Sequence, residues 1–520
     1  MSQETHFSRE SQRPDRSGDL SSRRTPTVPG PRLPCDRLKK LEFSVLIHYK
    51  SATVREISEP HLIAPSVGPL LHPQFRPAIL ALRAFGEQVR RSGDPRRVRI
   101  ALEQADGSVN RFQTEIFPEG HPSATGNYHH VERIVKFLLW SRGGWRIYCD
   151  GPAALTAQLA THYRKEATGK FDSDMVGTKM FDHPLEVVNT RDLPPEHSRS
   201  KPLGRHLDGC RIGFDLGGSD RKAAAVIDGQ VVFSEETVWD PYFHPDPQYH
   251  FDGIMDSLKK AAAHLPRVDA IGGSSAGVYV HNQVKVASLF RGVPADLFNE
   301  RVKNLFLDVK RAWNNVPFEV VNDGEVTALA GAMALGKNAV LGIALGTSTA
   351  AGYVTPDGNI TSWLNELAFV PVDYDPEAAC DEWSGDYGVG AQYFSQQAVS
   401  RLLPAAGIET PKDLPLPEKL KLVQSLMAQG DERASKIYQT IGVYLGYFIA
   451  HCAEFYDLQN VLILGRVTSG VGGDLIVATA RETLQTGFPD LAGLIELHVP
   501  DEKMKRHGQA IAAASLPQLS

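Results

Sequence analysis

The chain has 520 residues, 42% of them hydrophobic and 22% charged, which excludes a single small module and a wholly disordered chain. The net charge of −6 excludes a strongly basic surface, so nucleic acid is not an expected partner. The five cysteines form no metal-ligand motif, and no apolar run is long enough for a membrane span or a signal sequence. We therefore expect a cytoplasmic protein without disulfides and without a membrane partner.

The first part of the chain predicts a tail followed by an α/β domain. Residues 1–34 are rich in Ser, Arg and Pro, which predicts a flexible tail. Over 36–190 strand and helix patterns alternate, and the pair His129-His130 lacks a third ligand, so we interpret it as structural. The Pro-rich stretch 191–208 is the predicted linker. The predicted elements, in chain order, are a strand at FSVLIHY, a helix at PAILALRAFGEQVRR, a hairpin at VRIALEQADGSVNRFQTEIF, a helix at HHVERIVKFLLWSR, a strand at WRIYCDG and a helix at PAALTAQLATHYRKE.

An internal repeat organises the rest of the chain. The segment GFDLGGSDRKAAAVIDG (213–229) and the segment GIALGTSTAAGYVTPDG (342–358) share six of 17 residues at a constant offset of 129. Each reads as a strand, a Gly/Ser turn, a second strand and a DG turn. This pattern predicts a duplicated β-hairpin in two facing lobes, 209–338 and 339–520, although two hairpins could share turn chemistry by chance.

The two hairpin tips are candidate phosphate sites. Small residues allow backbone N–H groups to approach an anion closely, and Gly217-Gly218-Ser219 forms such a tip. Asp215 precedes this tip by two residues and is the candidate Mg²⁺ ligand, whereas the second copy has Ala344 at the equivalent place. Only the first lobe therefore carries the acid.

A strand followed by a helix supplies the candidate base. The segment PFEVVNDGEVTALAGAMALG predicts a buried strand ending at Val321, with Asn322 and Asp323 capping a helix that stops at Gly336. A carboxylate at a helix N-terminus is held ionised and can accept a proton. Asp323 is thus the candidate general base, and a plain capping aspartate is the alternative.

Near the C-terminus a long helix leads into a short apolar strand, NVLILG, and then a Gly/Ser loop at 465–473. Ligands of α/β sheets bind beyond the carboxyl ends of strands, which makes this loop a candidate nucleoside site. An ordinary strand-loop-helix connection is an equally good interpretation.

Taken in order, the motifs DLGGS, AIGGSSAG, VNDGEVTALAG, LGTS and LILG resemble the sugar kinases of the actin-like ATPase superfamily, and above all the ROK family of repressors, open reading frames and kinases. The resemblance covers about 210–515. It implies a two-lobed actin-like (ribonuclease H-like) α/β fold with an additional N-terminal α/β domain, ATP and Mg²⁺ as cofactors, a sugar as substrate, and it allows a homodimer. By resemblance the site residues are Asp215, Gly217, Gly218 and Ser219 in the first phosphate motif, Gly346, Thr347 and Ser348 in the second, Gly465 for adenosine, and Asn322, Asp323 and Glu366 for the sugar.

The chain departs from the family pattern at its zinc site. The family follows the equivalent of Glu366 with Gly-His and then a cysteine-rich zinc motif, whereas this chain has Ala368-Phe369 and the segment DEWSGDYGVGAQYFS, so we expect no zinc. The motif's last glutamate falls at Ala391 or beside Gln392. The second phosphate loop reads GTSTAAG, and the adenosine loop reads Gly465-Arg466-Val467, where the family has glycines.

Two functional hypotheses follow. The first is a glucokinase-like enzyme that moves the γ-phosphoryl group of ATP to a hexose hydroxyl, with Asp323 as the base. The second is a catalytically weak or inactive sugar or nucleotide sensor whose N-terminal domain relays the bound state. The retained aspartates favour the kinase, and the altered loops favour the sensor.

Overall fold

The structure, a computed structural model, describes residues 62–198, 202–500 and 502–519, with only the backbone given over 502–507. The predicted tail (1–34) and the predicted strand FSVLIHY lie outside the described residues.

The N-terminal region, residues 62–198, contains one sheet whose strand order is β2-β1-β3-β4, with β4 parallel to β3 and the other pairs antiparallel. The predicted helices, the strand WRIYCDG and the hairpin around Asp106-Gly107 are all confirmed. The elements are α1 (Ala78–Arg91), β1 (Arg96–Glu103), β2 (Val109–Ile116), α2 (Asn127–Arg142), β3 (Arg146–Asp150), α3 (Ala153–Lys165), α4 (Ala167–Asp172) and β4 (Glu186–Asn189).

Lobe 1 is built on a five-stranded sheet of order β11-β8-β5-β6-β7. Strands β5, β6 and β7 form an antiparallel meander. Strand β8 pairs in parallel with β5 on its other side, and β11 pairs in parallel with β8. The elements are β5 (Cys210–Leu216), β6 (Asp220–Ile227), β7 (Gln230–Val238), α5 (Pro247–Ala262), β8 (Ala270–Ser275), β9 (Val278–Val280), β10 (Gln283–Val286), α6 (Ala295–Leu297), α7 (Leu305–Ala312), β11 (Phe318–Asn322) and α8 (Asp323–Leu335).

Lobe 2 repeats this arrangement in a four-stranded sheet of order β13-β12-β14-β15. The hairpin β12-β13 is antiparallel, and β14 and β15 continue the sheet in parallel on the far side of β12. The elements are β12 (Val340–Leu345), β13 (Thr349–Val354), α9 (Gln396–Leu402), α10 (Leu416–Ala428), α11 (Glu432–Cys452), β14 (Asn460–Leu464), α12 (Val471–Gly487), α13 (Pro489–Ala492), β15 (Glu496–His498) and α14 (Glu502–Ala514).

The shared strand order confirms the predicted fold class, a two-lobed α/β architecture with a duplicated hairpin-led sheet. In each lobe the first hairpin strand pairs antiparallel with its hairpin partner and parallel with a later strand. The copies differ at the tips, because Leu216 pairs with Arg221 whereas Leu345 pairs with Thr349, so the second tip is one residue shorter.

The clusters of buried apolar residues group the segments of the chain differently from the domains that the sequence predicts. Lobe 1 has its own cluster of buried apolar residues, which includes Phe214 and Phe306. A second cluster runs without a break from the N-terminal region, for example Phe137, to lobe 2, for example Phe455, and these two rings stack with centroids 3.9 Å apart. The predicted boundaries (36–190, 209–338, 339–520) stay a prediction, and the N-terminal region shares its core with lobe 2.

The predicted linker (191–208) is hydrogen-bonded to its surroundings where it is described. His197 forms a bridge with Val109 of β2, and Leu203 forms one with Ile360 of lobe 2. The amide of His206 donates to Ser515 O at 3.1 Å.

The C-terminal helix α14 lies on the sheet of lobe 1, although its place in the chain had assigned it to lobe 2. A Cβ on Gly213 would lie 1.9 Å from Ala510 O, and a Cβ on Gly272 would lie 1.7 Å from Ala513 O. Glycine on β5 and β8 therefore lets the helix backbone approach the sheet, which no local sequence pattern reveals. Among the described residues, no helix combines the length and the apolar character that a membrane crossing requires.

Candidate active site

The parallel strands of lobe 1 bring the predicted residues to one edge of the sheet. Asp215 lies opposite Ser274 of β8, and Ser274 in turn lies opposite Val321 of β11, one residue before Asn322. Two inter-strand spacings, about 10 Å, therefore separate the backbones of Asp215 and Val321. This is the carboxyl edge of the sheet, where α/β folds bind their ligands.

The structure separates the roles of Asn322 and Asp323. Asn322 is the N-cap of α8, and its Oδ1 accepts from the amide of Gly324 at 2.7 Å while its Nδ2 donates to Gly277 O at 2.7 Å. The Oδ1 of Asp323 shares the Gly324 amide at 3.0 Å, but Asp323 is already the first helical residue. The cap therefore does not depend on Asp323, whose carboxylate is available for another task.

The surroundings of Asp323 make it a better base than an ordinary aspartate. Burial, and then the negative charge of Asp215, raise the pKa of Asp323 to about 6. A general base works best when its pKa lies near the working pH, because it is then both deprotonated and basic enough to take a proton.

Asp323 also lies where the two lobes meet. It follows β11 of lobe 1, and its helix α8 packs on the sheet of lobe 2 through small residues. A Cβ on Gly324 would lie 2.6 Å from Ala351 O, and a Cβ on Gly352 would lie 2.4 Å from Gly324 O. The start of α8 is thus pressed against β13, the strand that follows the second tip.

Glu366 belongs to lobe 2 and is electrostatically coupled to Asp323. Burial, and then the charge of Asp323, raise the pKa of Glu366 to about 7. Its amide donates to Trp140 O at 3.0 Å, and the amide of Asn365 donates to Ser141 O at 3.0 Å, so helix α2 of the N-terminal region holds this segment. The structure therefore brings Asp215, Asn322, Asp323 and Glu366 together.

A fourth acid near this group, Glu325, was not predicted from the sequence. It is 4% exposed, and its Oε1 accepts from Asn365 Nδ2 at 2.5 Å. Burial raises the pKa of Glu325 to about 8. The available signal was a charged residue inside an otherwise apolar, Ala-rich helix, since such a residue is seldom buried without a role.

The first tip is held in place by Trp239. The backbone amide of Trp239 donates to Ser219 O at 3.1 Å, and its Nε1 donates to Gly217 O at 2.9 Å. Within the described chain, the backbone amides of Gly218 and Ser219 have no hydrogen-bond acceptor. Gly218 also touches Tyr242, because a Cβ at this position would lie 2.0 Å from the Tyr242 hydroxyl oxygen. The tip thus presents two N–H groups that could bind an anion.

The second tip has the same character. The Gly346 amide donates to Ser348 O at 3.0 Å, while the amides of Thr347 and Ser348 find no acceptor in the described parts of the chain. Of the residues that replace family glycines, Ala351 is buried in the core and Ser348 is exposed at the tip. Ala350, the third such residue, is partly exposed, so the side chains added at this tip are a methyl group and a small hydroxyl.

Gly465 lies directly beside the second tip. It follows β14 with φ 106°, a region that favours glycine, and a Cβ there would lie 2.4 Å from Leu345 O. The following Arg466 is exposed, while Val467 is buried. The predicted adenosine loop and the second phosphate loop are thus neighbours at the carboxyl edge of lobe 2.

Asp215 suits a hard cation such as Mg²⁺. It is 8% exposed, and burial raises its pKa, with Lys222 among the groups that oppose this shift. A buried carboxylate gains most from a cation close by, and Mg²⁺ is usually bound by one or two carboxylates together with substrate phosphates.

The positions that correspond to the family's zinc motif make other contacts here. Phe369 packs on Trp140 with ring centroids 4.3 Å apart, and Asp386 forms an ion pair with Arg133 at 2.9 Å. Gln392 donates from Nε2 to Gln397 Oε1 at 2.5 Å. In the described parts of the chain, no group of three or more His, Cys, Asp or Glu side chains could hold a metal ion.

The chain is similar in structure to solved members of the ROK family. A ROK family glucokinase from Streptomyces griseus, determined with glucose and AMPPNP, is 19% identical, with a TM-score of 0.44 over 59% of this chain and 98% of its own. A ROK hexokinase from Thermus thermophilus is 17% identical, with a TM-score of 0.46 over 59% of this chain and 96% of its own. A ROK family transcriptional regulator, a homolog of the E. coli MLC protein, is 19% identical, with a TM-score of 0.48 over 60% of this chain and 79% of its own.

At these identities and TM-scores, nothing about the activity of this chain follows from the similarity. No protein-family model matches the sequence, and no curated protein matches it.

Proposed function

We propose that this protein transfers the γ-phosphoryl group of ATP to a hydroxyl of a hexose or hexose-like sugar. The observation that carries the proposal is the position of Asp323. The helix cap does not depend on it because Asn322 is the N-cap, it lies where both lobes meet, and burial and Asp215 raise its pKa to about 6. The resemblance of the NDG motif to the ROK sugar kinases supports the same role.

The chain's residues divide the work between the lobes. Asp323 accepts the proton of the attacking hydroxyl, and Asn322 and Glu366 hold the sugar beside it. The amides at both tips, in 217–219 and 346–348, bind phosphate oxygens. Asp215 would hold Mg²⁺, which would supply positive charge to offset the charge of the ATP phosphates.

The proposal is tested by a sugar panel and one variant. The wild type is mixed with hexoses, N-acylhexosamines and Mg-ATP, and ADP release is measured together with thermal shifts for each ligand. In Asp323→Asn we expect kcat to fall on the order of 10² to 10⁴-fold, because the general base is lost. Folding and sugar binding should persist, because Asn322 still caps α8.

The matched control is Asp357→Asn, the same substitution in an exposed turn of lobe 2, which should leave activity unchanged. If Asp323→Asn turns over as fast as this control, Asp323 has no catalytic role. If the wild type binds sugar and nucleotide but releases no ADP with any sugar, the protein is a sensor and not a kinase.

A further inference from the structure

Helix α2 of the N-terminal region ends directly against the segment that carries Glu366. The last four carbonyls of a helix lack partners inside the helix. Here Gly143 N donates to Leu139 O, and Gln104 Nε2 donates to Arg142 O at 2.7 Å. The remaining two carbonyls, those of Trp140 and Ser141, accept from the amides of Glu366 and Asn365, both at 3.0 Å. The end of α2 is therefore completed by the candidate sugar segment.

A side chain of the same helix reinforces this contact. Trp140 is fully buried, and its ring packs on Phe369 with centroids 4.3 Å apart, three residues beyond Glu366. Its Nε1 donates to Asp172 Oδ1 at 2.9 Å, which fixes the orientation of the indole. The turn that follows Glu366 is thus held by a ring that itself has little freedom.

An ion-pair network on α2 holds the chain downstream of that turn. Asp386 lies 2.9 Å from Arg133 and 3.1 Å from Lys136, and Lys136 lies 2.8 Å from Asp172. All of these side chains are at most 3% exposed. Charges in such a dry setting are strongly coupled, and removing one partner leaves the others uncompensated. The stretch from 365 to 386 is thus attached to α2 at both ends.

We propose that helix α2 positions Glu366 relative to Asp323, through the backbone contacts of Trp140 and Ser141 and the buried ion pairs at Asp386. The proposal rests on the proposed function, in which Glu366 binds the sugar and Asp323 deprotonates it. The N-terminal region is then part of the sugar site, and Trp140, Lys136 and Asp386 are positioning residues.

The test uses the full-length protein and two variants of the contact. Asp386→Asn removes the charge at one end of the stretch with little change in volume. Trp140→Phe keeps an aromatic ring but removes the hydrogen bond to Asp172 and changes the contact with Phe369. It replaces Asp386→Asn as the test variant if Asp386→Asn does not fold. The control is Leu159→Ala on α3, which removes a fully buried side chain from the same core but none of the contacts above.

Two readouts are measured at matched temperature below unfolding. The first is hydrogen-deuterium exchange of the peptide that contains Asn365 and Glu366, which reports on their bonds to α2 without any need for activity. We expect exchange there on the order of tenfold faster in both variants than in the control. The second readout is the KM for each substrate. The sugar KM should rise on the order of tenfold, while the ATP KM should change by less than about twofold. Lys136→Arg, which keeps the charge, should stay closer to the wild type.

The outcomes separate this proposal from the proposed function. Exchange at 365–366 no faster than in Leu159→Ala overturns the positioning role, and so do sugar and ATP KM values that rise together. If the wild type phosphorylates no sugar, the proposed function fails, and exchange together with calorimetric sugar binding still decides whether α2 positions Glu366.

Discussion

Lobes 1 and 2 have the same strand order but differ in what completes them. Lobe 1 has its own apolar cluster, with α14 lying on its sheet, and it carries Asp215 and Asp323 at one edge of that sheet. Lobe 2 has Ala344 where lobe 1 has Asp215, and its core continues into the N-terminal region. Within the described residues, an isolated bridge between Val354 and Ile360 stands where lobe 1 has a full third strand. The two copies of the topology thus differ, since lobe 1 carries the candidate acids Asp215 and Asp323 at its sheet edge and lobe 2 shares its core with the N-terminal region.

Asp215→Ala tests the difference between the lobes most directly, because it gives lobe 1 the residue that lobe 2 already has. We expect kcat/KM for phosphoryl transfer to fall on the order of 10²-fold, because a charged group in a dry site is lost. The Mg²⁺ concentration needed for half-maximal rate should rise. The control is Asp220→Asn, a carboxylate at the same tip that pairs with Lys222. Equal losses in both variants would contradict a special role for Asp215.

The shared core predicts that lobe 2 and the N-terminal region unfold together. Phe137→Ala removes a ring stacked on Phe455 and should lower the free energy of unfolding by about 3–5 kcal/mol. Hydrogen exchange should then accelerate in both 78–189 and 432–498. The control is Phe306→Ala in the core of lobe 1, where exchange should accelerate mainly within 210–322. If Phe137→Ala loosened only the N-terminal region, the two cores would be independent.

The pH dependence of kcat/KM tests the role of Asp323 in lobe 1. The proposed base Asp323 would act only when deprotonated, and its pKa is raised to about 6, so we expect kcat/KM to rise with pH through about 6. At pH 5 the rate should be about tenfold below its plateau, since each unit below the pKa reduces the deprotonated fraction about tenfold. A rate profile flat between pH 5 and 7 would exclude Asp323 as the titrating base.

Glu325, at the contact between the lobes, should make the stability of the protein depend on pH. Its pKa is raised to about 8 in the folded protein from 4.5, so the folded state binds a proton more tightly than the unfolded state. The stability of the wild type, relative to Glu325→Gln, should therefore decrease as pH rises from 4.5 to about 8. The slope should be at most about 1.4 kcal/mol per pH unit. Denaturant unfolding of both proteins at several pH values measures it, and a constant difference would contradict a raised pKa.

Much of the fold could be predicted because its signals are local. The hairpins were visible in Gly/Ser and Asp-Gly turns, and α8 in the residues Asn322 and Gly336 that bound it. The structure places the helix start at Asp323 and an αL glycine at Gly336, as the pattern predicted. The site was predictable as far as it follows strand ends, because parallel strands bring their carboxyl ends to one edge.

The sequence by itself determined the repeated hairpins, the order of strands and helices, and the candidate acids Asp215 and Asp323, because turns, caps and apolar periods act within a few residues of the chain. Only the tertiary structure decided that Glu325 is buried, that α14 covers lobe 1, and that α2 holds Glu366. These features depend on contacts between residues far apart in the chain. An apolar period shows that one face of an element is buried but not which distant segment covers it, so the partners are decided only when the chain is folded.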